Sequence, residues 1–496
     1  MNDIVKILPN FKKFNDYISN VKDNTSPIML SGLTDSGKVH FAYSTYFYAE
    51  KPICIITYNE LQAKKIIRNL EYFENNINYF PKKEILAYDY LAESKDITYS
   101  RIACLNEIHK KQAKIIVTTI EAVSQKIIPE DVLYKNILEL KIGDVINLEE
   151  IKQKLVLLGY ERQDVVENKS EFSVRGGIID VAISEKQGIR IELWGDEIDS
   201  IRTFDINTQR SLEKRENIKI YPAHEFLLDK PLEEVAKDIQ DQRDKEEVLE
   251  GNFTNKIDKY WNKFYNDPDN TFIDYIKDNY IIFIDEVSKI KARSENVIKD
   301  TKLLMQNLVE KKRYIPELLE KIEDYIEFLD RIKSIQTIYL ENKDIGFVDK
   351  QSMHAKRNGY SFSYREVNFF RSSMDLLFKE VQEGLGQGTT IAILCGNQNN
   401  IKRTKDLLAE KINNPKQLQK LIITEGSLTE GFECYDFNLL VISIEELFNI
   451  PKKKRKTPEQ FKAGETIIFS DLKVGDYIVH RTNGVGQFVG INTIQA

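Results

Sequence analysis

The sequence lacks any apolar run approaching the roughly 20 residues that a bilayer-spanning helix requires, and nothing in its 496 residues reads as a membrane segment. Its start, MNDIVKILPNFKKFND, has no long apolar core and no small-residue cleavage site, so a cytoplasmic protein is expected. Cysteine is scarce, and the four, Cys54, Cys104, Cys395 and Cys434, form no C-x-x-C pair, which argues for buried thiols in a reducing compartment. The five histidines are equally scattered, which excludes a recognisable metal cluster or nucleophilic triad. An excess of positive charge is missing too: the formal net charge is −7, so nucleic acid is not gripped by the surface as a whole, although a local basic patch is compatible with it.

What is present is a well-populated apolar core composition, 42% hydrophobic against 30% charged residues, in a chain long enough for three or four domains. The first part alternates strand and helix: SPIMLSG enters a glycine loop and a helix predicted from about Lys38 to Glu50 with one apolar face, PICIIT precedes NELQAKKIIRNLEYF, and KIIVTT precedes IEAVSQKI. That alternation predicts a parallel sheet covered on both faces. SEFSVRGGIIDVAI and IRIELWGDEIDSIRTFD instead alternate with period two between glycine turns, as a small antiparallel insertion would. The fold expected is therefore α/β multidomain: a degenerate RecA-like P-loop parallel sheet (1–128 and 213–334) split by an antiparallel β domain (129–212). A further small α/β domain (335–450), a polar linker (451–468) and the start of a small β-barrel module (469–496) would follow. That last module stops before a barrel could close, which suggests a piece of a longer protein.

Gly32 to Lys38 reads G-x-x-x-x-G-K, the phosphate-binding loop between a strand and a helix, in which backbone N–H groups surround phosphate and the lysine neutralises it. Val39 stands where a serine or threonine hydroxyl would hold magnesium, and Asp35 puts a carboxylate where phosphate would approach. At about 4 Å such repulsion is worth about 1 kcal/mol in water and about 4 kcal/mol at an effective dielectric of 20. IIFIDE could supply the metal-holding Asp285 and a water-polarising Glu286, or be a buried strand ending in two solvated acids. PKKKRK reads as a basic linker, EGSLTEGFE carries no chemistry that can be placed, and Trp194 and Trp261 are expected to be packing residues.

Together these stretches resemble the N-terminal half of the bacterial transcription-repair coupling factors, whose first domains look like the excision-repair protein UvrB. LAYDYLAESKDITYSRIACLNEI, EFSVRGGIIDV, GDEIDSIRTFDINTQRSL, YPAHEF and GDYIVHRTNGVGQFVGI carry the resemblance, which covers nearly the whole chain. It implies a docking scaffold: the UvrB-like module of the family is not an ATPase, the translocase motor lies beyond this chain, and the insertion is presented to UvrA. Arg162 and Arg175 match two of the family's UvrA-contacting arginines, while Ser173 replaces a third. Taken without the resemblance, both are equally ordinary exposed arginines. Phe172 between them is expected in the core.

The resemblance further implies that His480, Gly484 and Gly486 belong to a module binding the RNA polymerase β subunit, incomplete here, with Asn483 in place of a histidine. DNA would be engaged mainly by the absent motor, for which ATP and Mg are expected; this piece would need no cofactor. The competing reading is an ATP-dependent helicase or translocase lobe using Gly32, Gly37, Lys38, Asp285 and Glu286.

Overall fold

The computed structural model describes residues 3–83, 95–225, 227, 229–239, 242–250, 260–310, 320–346, 348–367, 374–412, 421–443, 477–480 and 484–487. Contacts divide the chain into two units, Met1–Phe448 and Asn449–Ala496.

In the first unit, β1 (Ile28–Ser31), β2 (Ile53–Thr57), β3 (Ile77–Phe80), β4 (Ile115–Thr119), β13 (Ile281–Asp285), β14 (Thr337–Leu340) and β15 (Tyr360–Ser361) form a seven-stranded sheet. Its order is β15-β1-β14-β13-β2-β4-β3 and every pairing is parallel. The strands are continuous apolar runs because both faces are covered, and alternate residues sort into different cores. Ile281 and Phe283 join the core around the helix Asp35–Ala49, whereas Ile282 and Ile284 join the one around the helix Val287–Glu310. β14 and β15 thus complete the first sheet, although they follow residue 334, where sequence texture ends that domain.

Between β4 and β13 the chain leaves this sheet. β5 (Leu138–Lys141) and β12 (Asn217–Ile220) pair at the base of the excursion. Between them run β6 (Glu161–Arg162), β7 (Glu171–Arg175), β8 (Ile178–Ala182), β9 (Gln187–Trp194), β10 (Glu197–Asp205) and β11 (Ser211–Arg215), in sequential order across a second sheet. All its pairings are antiparallel except β6 with β7. Phe172, Ile179, Val181, Ile189, Ile191 and Ile201 line its core face; Phe172 is buried, as the sequence suggests.

A third sheet of order β16-β19-β20-β17-β18 comprises β16 (Tyr364–Val367), β17 (Thr390–Leu394), β18 (Ile422–Thr424), β19 (Gly431–Cys434) and β20 (Leu439–Ser443). Phe432, Cys434, Leu439 and Val441 enter the same core as Val39, Phe41 and Ile28, so the helix Asp35–Ala49 is held between two sheets. Residues Ser36 through Thr45 are all buried, which corrects the expected half-exposed helix: a helix covered all round has no polar face to show. The four cysteines are free and buried, and burial pushes the Cys54 and Cys104 thiols up. The second unit contributes one antiparallel hairpin, β21 (Tyr477–His480) with β22 (Gly484–Gln487). The linker at 451–468, the turn residues 481–483 and the segment LAYDYLAES lie outside the described residues. Among the described residues no helix is long and apolar enough to cross a membrane.

Candidate functional site

The phosphate-loop residues come together as the sequence predicts, but around protein rather than around open space. β1 and β13 deliver Gly32, Lys38, Asp285 and Glu286 to the carboxyl edge of the first sheet, where α/β proteins place ligands. Lys38 is almost completely buried, with its Nζ donating to Asp285 Oδ1 at 2.7 Å and Glu286 Oε1 at 2.5 Å. Burial would lower its pKa, yet the two carboxylates outweigh burial and hold the ammonium above the value of a free lysine. Thr57 Oγ1 donates to the other Asp285 oxygen at 2.7 Å, and the Asn342 N–H donates to Glu286 Oε1 at 2.8 Å. Beside them Glu341 is buried, accepts from the Val287 N–H at 2.9 Å, and is pushed up to about 8, chiefly by burial and by the Glu286 charge.

Three of the loop amides are also committed. Gly37 N–H donates to Thr34 Oγ1 at 3.1 Å, Lys38 N–H to the Thr34 carbonyl at 2.8 Å, and Leu33 N–H to the Glu341 carbonyl at 3.2 Å. The segment linking β15 to β16 lies directly over the loop: Phe362 N–H donates to the Ser31 carbonyl at 2.8 Å and Tyr364 N–H to the Gly32 carbonyl at 3.0 Å. Gly32 has φ +77° and a Cβ there would meet the Phe362 carbonyl oxygen at 1.9 Å; only glycine fits. A Cβ on Gly37 would meet the Tyr364 ring at 2.6 Å, so the third sheet occupies the room above the helix start.

Asp35, expected to repel phosphate, is instead paired with Lys65 at 2.9 Å, and Lys65 also reaches Glu430 at 2.9 Å. Burial would raise the Asp35 carboxyl, but the Lys65 hydrogen bond with the Lys38 and Lys65 charges holds it below its ordinary value. Ser36 Oγ donates to the Glu430 carbonyl at 2.7 Å and Thr429 N–H to Asn69 Oδ1 at 2.7 Å. EGSLTEGFE, a stretch without legible chemistry of its own, is thus part of the seal. Val39 is an apolar core residue at 1% exposure. A magnesium-nucleotide does not fit this set of residues, because the lysine is held by two carboxylates, three of the loop amides are bonded within the protein, Tyr364 stands over the helix start and position 39 offers no oxygen. Among the described residues no group of His, Cys, Asp and Glu could hold a metal.

The second place of interest is the inserted sheet. Arg175 ends β7 with about half of its side chain exposed and donates to Asp180 Oδ2 at 2.9 Å. Arg162 is exposed on the edge strand β6, in register with Phe172. Side chains alternate along β7, so Arg162 points to the Phe172 side and Arg175 to the other; the structure does not bring the two together on one face. On the Arg175 side, Ser173 is in register with Asp180, Asp180 with Arg190, Arg190 with Arg202 and Arg202 with Lys214. Arg190 clasps Asp180 through Nε at 2.7 Å and Nη2 at 2.9 Å, and Arg202 pairs with Glu192. Sequence reasoning did not single out Arg190 and Arg202, whose only linear signal is the alternation of charged and apolar residues in IRIELW and SIRTFD, nor Lys214, which SLEKR does not mark at all. Trp194 is a correction: it stands 83% exposed at the β9–β10 hairpin, whereas Trp261 is buried as expected.

In the second unit, His480 is in register with Gly484 and Ile478 with Gly486, so the three residues flank one hairpin turn.

Comparison with known proteins finds two family models: the UvrB interaction domain over residues 138–226 and the CarD-like/TRCF RID domain over residues 472–496. The first begins at β5 and ends just beyond β12. A transcription-repair-coupling factor of Bacillus subtilis is 28% identical over 535 residues, covering 100% of this chain. One from Staphylococcus aureus is 28% identical over 501 residues, covering 94% of it. The chain spans only 44% and 42% of those relatives' own lengths. Along its whole length it is similar to the N-terminal part of transcription-repair-coupling factors.

Proposed function

We propose that this chain is the UvrB-like docking module of a transcription-repair-coupling factor, which brings UvrA to stalled RNA polymerase in nucleotide excision repair. The observation that carries the reading is the division of labour just described. The nucleotide-like site is filled from within and its lysine neutralised, while the insertion matching the UvrB interaction domain presents Arg162 and Arg175 outward. Arginine suits such a role because its planar fork pairs two donors with one carboxylate. RNA polymerase, through its β subunit, is the second partner, engaged by the module that begins at β21 with His480, Gly484 and Gly486. DNA translocation, with ATP and Mg, belongs to the remaining length of the relatives.

Titration with UvrA, in parallel with an ATP-hydrolysis assay, tests the reading. Binding that weakens in the Arg162→Ala, Arg175→Ala double variant, without hydrolysis, is the expected result. Hydrolysis by the chain that Lys38→Ala abolishes, with no UvrA binding, would establish the enzyme reading instead.

A further inference from the structure

The first sheet is closed at its carboxyl edge and open at its amino edge. There the loops that enter β1, β2, β4, β13 and β14 surround a cleft of about 780 Å³, within the size range of small-molecule sites. None of its residues belongs to the filled phosphate loop. Ile108, Tyr275, Tyr280 and Ile335 give it a buried apolar lining. Both tyrosine hydroxyls are committed, Tyr275 to the Ile128 carbonyl at 2.8 Å and Tyr280 to the Ala113 carbonyl at 2.5 Å, so what these residues offer a ligand is ring surface.

The charges of the cleft are sorted rather than in large excess. Lys51, Lys111, Lys114 and Lys277 line it with Glu130 and Asp278, and Asp274 and Asp131 stand close to Glu130. Lys111 and Lys277 follow the helices Lys95–His109 and Phe272–Ile276, where a cation offsets the negative end of the dipole. Lys51 and Lys114 do not. They precede β2 and β4, neighbouring strands in register at Ile53 and Ile115. The Lys51 Nζ donates to Asn24 Oδ1 at 2.5 Å and to Gln336 Oε1 at 3.3 Å, neutral oxygens that aim the ammonium without cancelling its charge. Among the described residues the Lys114 side chain makes no ion pair and no hydrogen bond.

The acceptors are equally unserved. Neither Glu130 nor Asp278 has an ion pair or a hydrogen bond to its carboxylate among the described residues. Burial raises the Glu130 carboxyl, Lys277 opposes the rise, and Asp278, Asp274 and Asp131 add to it. A ligand that satisfies such a cleft carries an anionic group for the lysines, hydroxyl donors for the carboxylates and a carbon frame for the rings. A bare anion would leave the carboxylates unserved, and an uncharged polyol the lysines.

We propose that this cleft binds a small phosphorylated sugar, its phosphate held by Lys51 and Lys114 with Lys111 beside them, and its hydroxyls donating to Glu130 and Asp278. The site belongs to the first sheet and is independent of the docking reading.

The test is calorimetric titration of the whole chain with ribose 5-phosphate and glucose 6-phosphate, and with ribose, glucose and inorganic phosphate as their halves. At least one sugar phosphate is expected to bind saturably and more tightly than either of its halves. Lys114→Ala, which removes no polar contact of the folded chain, should weaken that binding at least about tenfold. Glu130→Gln should weaken it less and leave the response to inorganic phosphate unchanged. Lys379→Ala, an exposed lysine on the helix Met374–Gln387, should change nothing. The proposal is overturned if neither sugar phosphate binds the wild-type chain, if Lys114→Ala or Glu130→Gln binds as tightly as wild type, or if inorganic phosphate alone binds as tightly as the sugar phosphates.

Discussion

Lys38 and Arg175 are both cations set against an aspartate carried by a strand, and they have opposite fates. The Lys38 side chain is 4% exposed, with Asp285 and Glu286 as partners and Tyr364 above the turn that carries it. The Arg175 side chain is 49% exposed, and its partner Asp180 is satisfied a second time by Arg190. A charge closed in on every side has nothing left to offer a ligand, whereas one tethered at a single corner remains available. The same chemistry thus gives a structural joint in one sheet and a presenting surface in the other, and the difference is what covers it.

The comparison breaks most visibly at the joint. Lys38→Ala leaves two carboxylates buried without their cation and is expected to cost about 3–5 kcal/mol, read as a loss of thermal and urea stability. The triple variant Lys38→Met, Asp285→Asn, Glu286→Gln should recover much of it, because no uncompensated charge remains. If Lys38→Ala proves as stable as wild type, the lysine is not the keystone of this joint.

Next in size is a pH effect. Glu341 keeps its proton in the folded protein up to about pH 8, chiefly through burial, while its ordinary value is 4.5. Unfolding between these values releases a proton, so stability should fall as pH rises through the window and level off above about 8, by at most about 1.4 kcal/mol per pH unit. Urea titrations at pH 5 and pH 8 should find Glu341→Gln more stable than wild type at the higher pH, with the gap closing at the lower. Equal gaps at both would refute the assignment.

Val39→Thr, which restores the hydroxyl of an ordinary phosphate loop, should destabilise by about 1–3 kcal/mol by burying an oxygen in an apolar core. It should not produce nucleotide binding, as a fluorescent nucleotide analogue would report. Smallest of all, Arg175→Ala should change stability by less than about 1 kcal/mol, since Arg190 still holds Asp180, while under the proposed function it should weaken UvrA binding. A large loss of stability there would make Arg175 structural and erase the contrast.

Much of the frame was legible in the sequence because period and apolar run length report it directly: β1, β2, β4 and β13 fall where the runs are, and Asp285 and Glu286 do meet Lys38. What stayed hidden depends on contacts between distant segments. Nothing near Gly32 announces that Phe362 will lie on it, and KVHFAYSTYFYA does not say that a second sheet will cover its polar side. The cross-strand row from Lys214 to Ser173 exists only once register is known, and Trp194 was misjudged because its large apolar ring suggests a core that the hairpin does not provide.

The buried cysteines have a practical use. Because the four described thiols are all covered, the folded chain should be nearly silent towards maleimides. Cys54 lies in the first sheet and Cys434 in the third, so the order in which they become labelled, resolved by peptide mapping, is a clock for which lobe opens first. A single cysteine placed at the hairpin tip would carry a dye against almost no background.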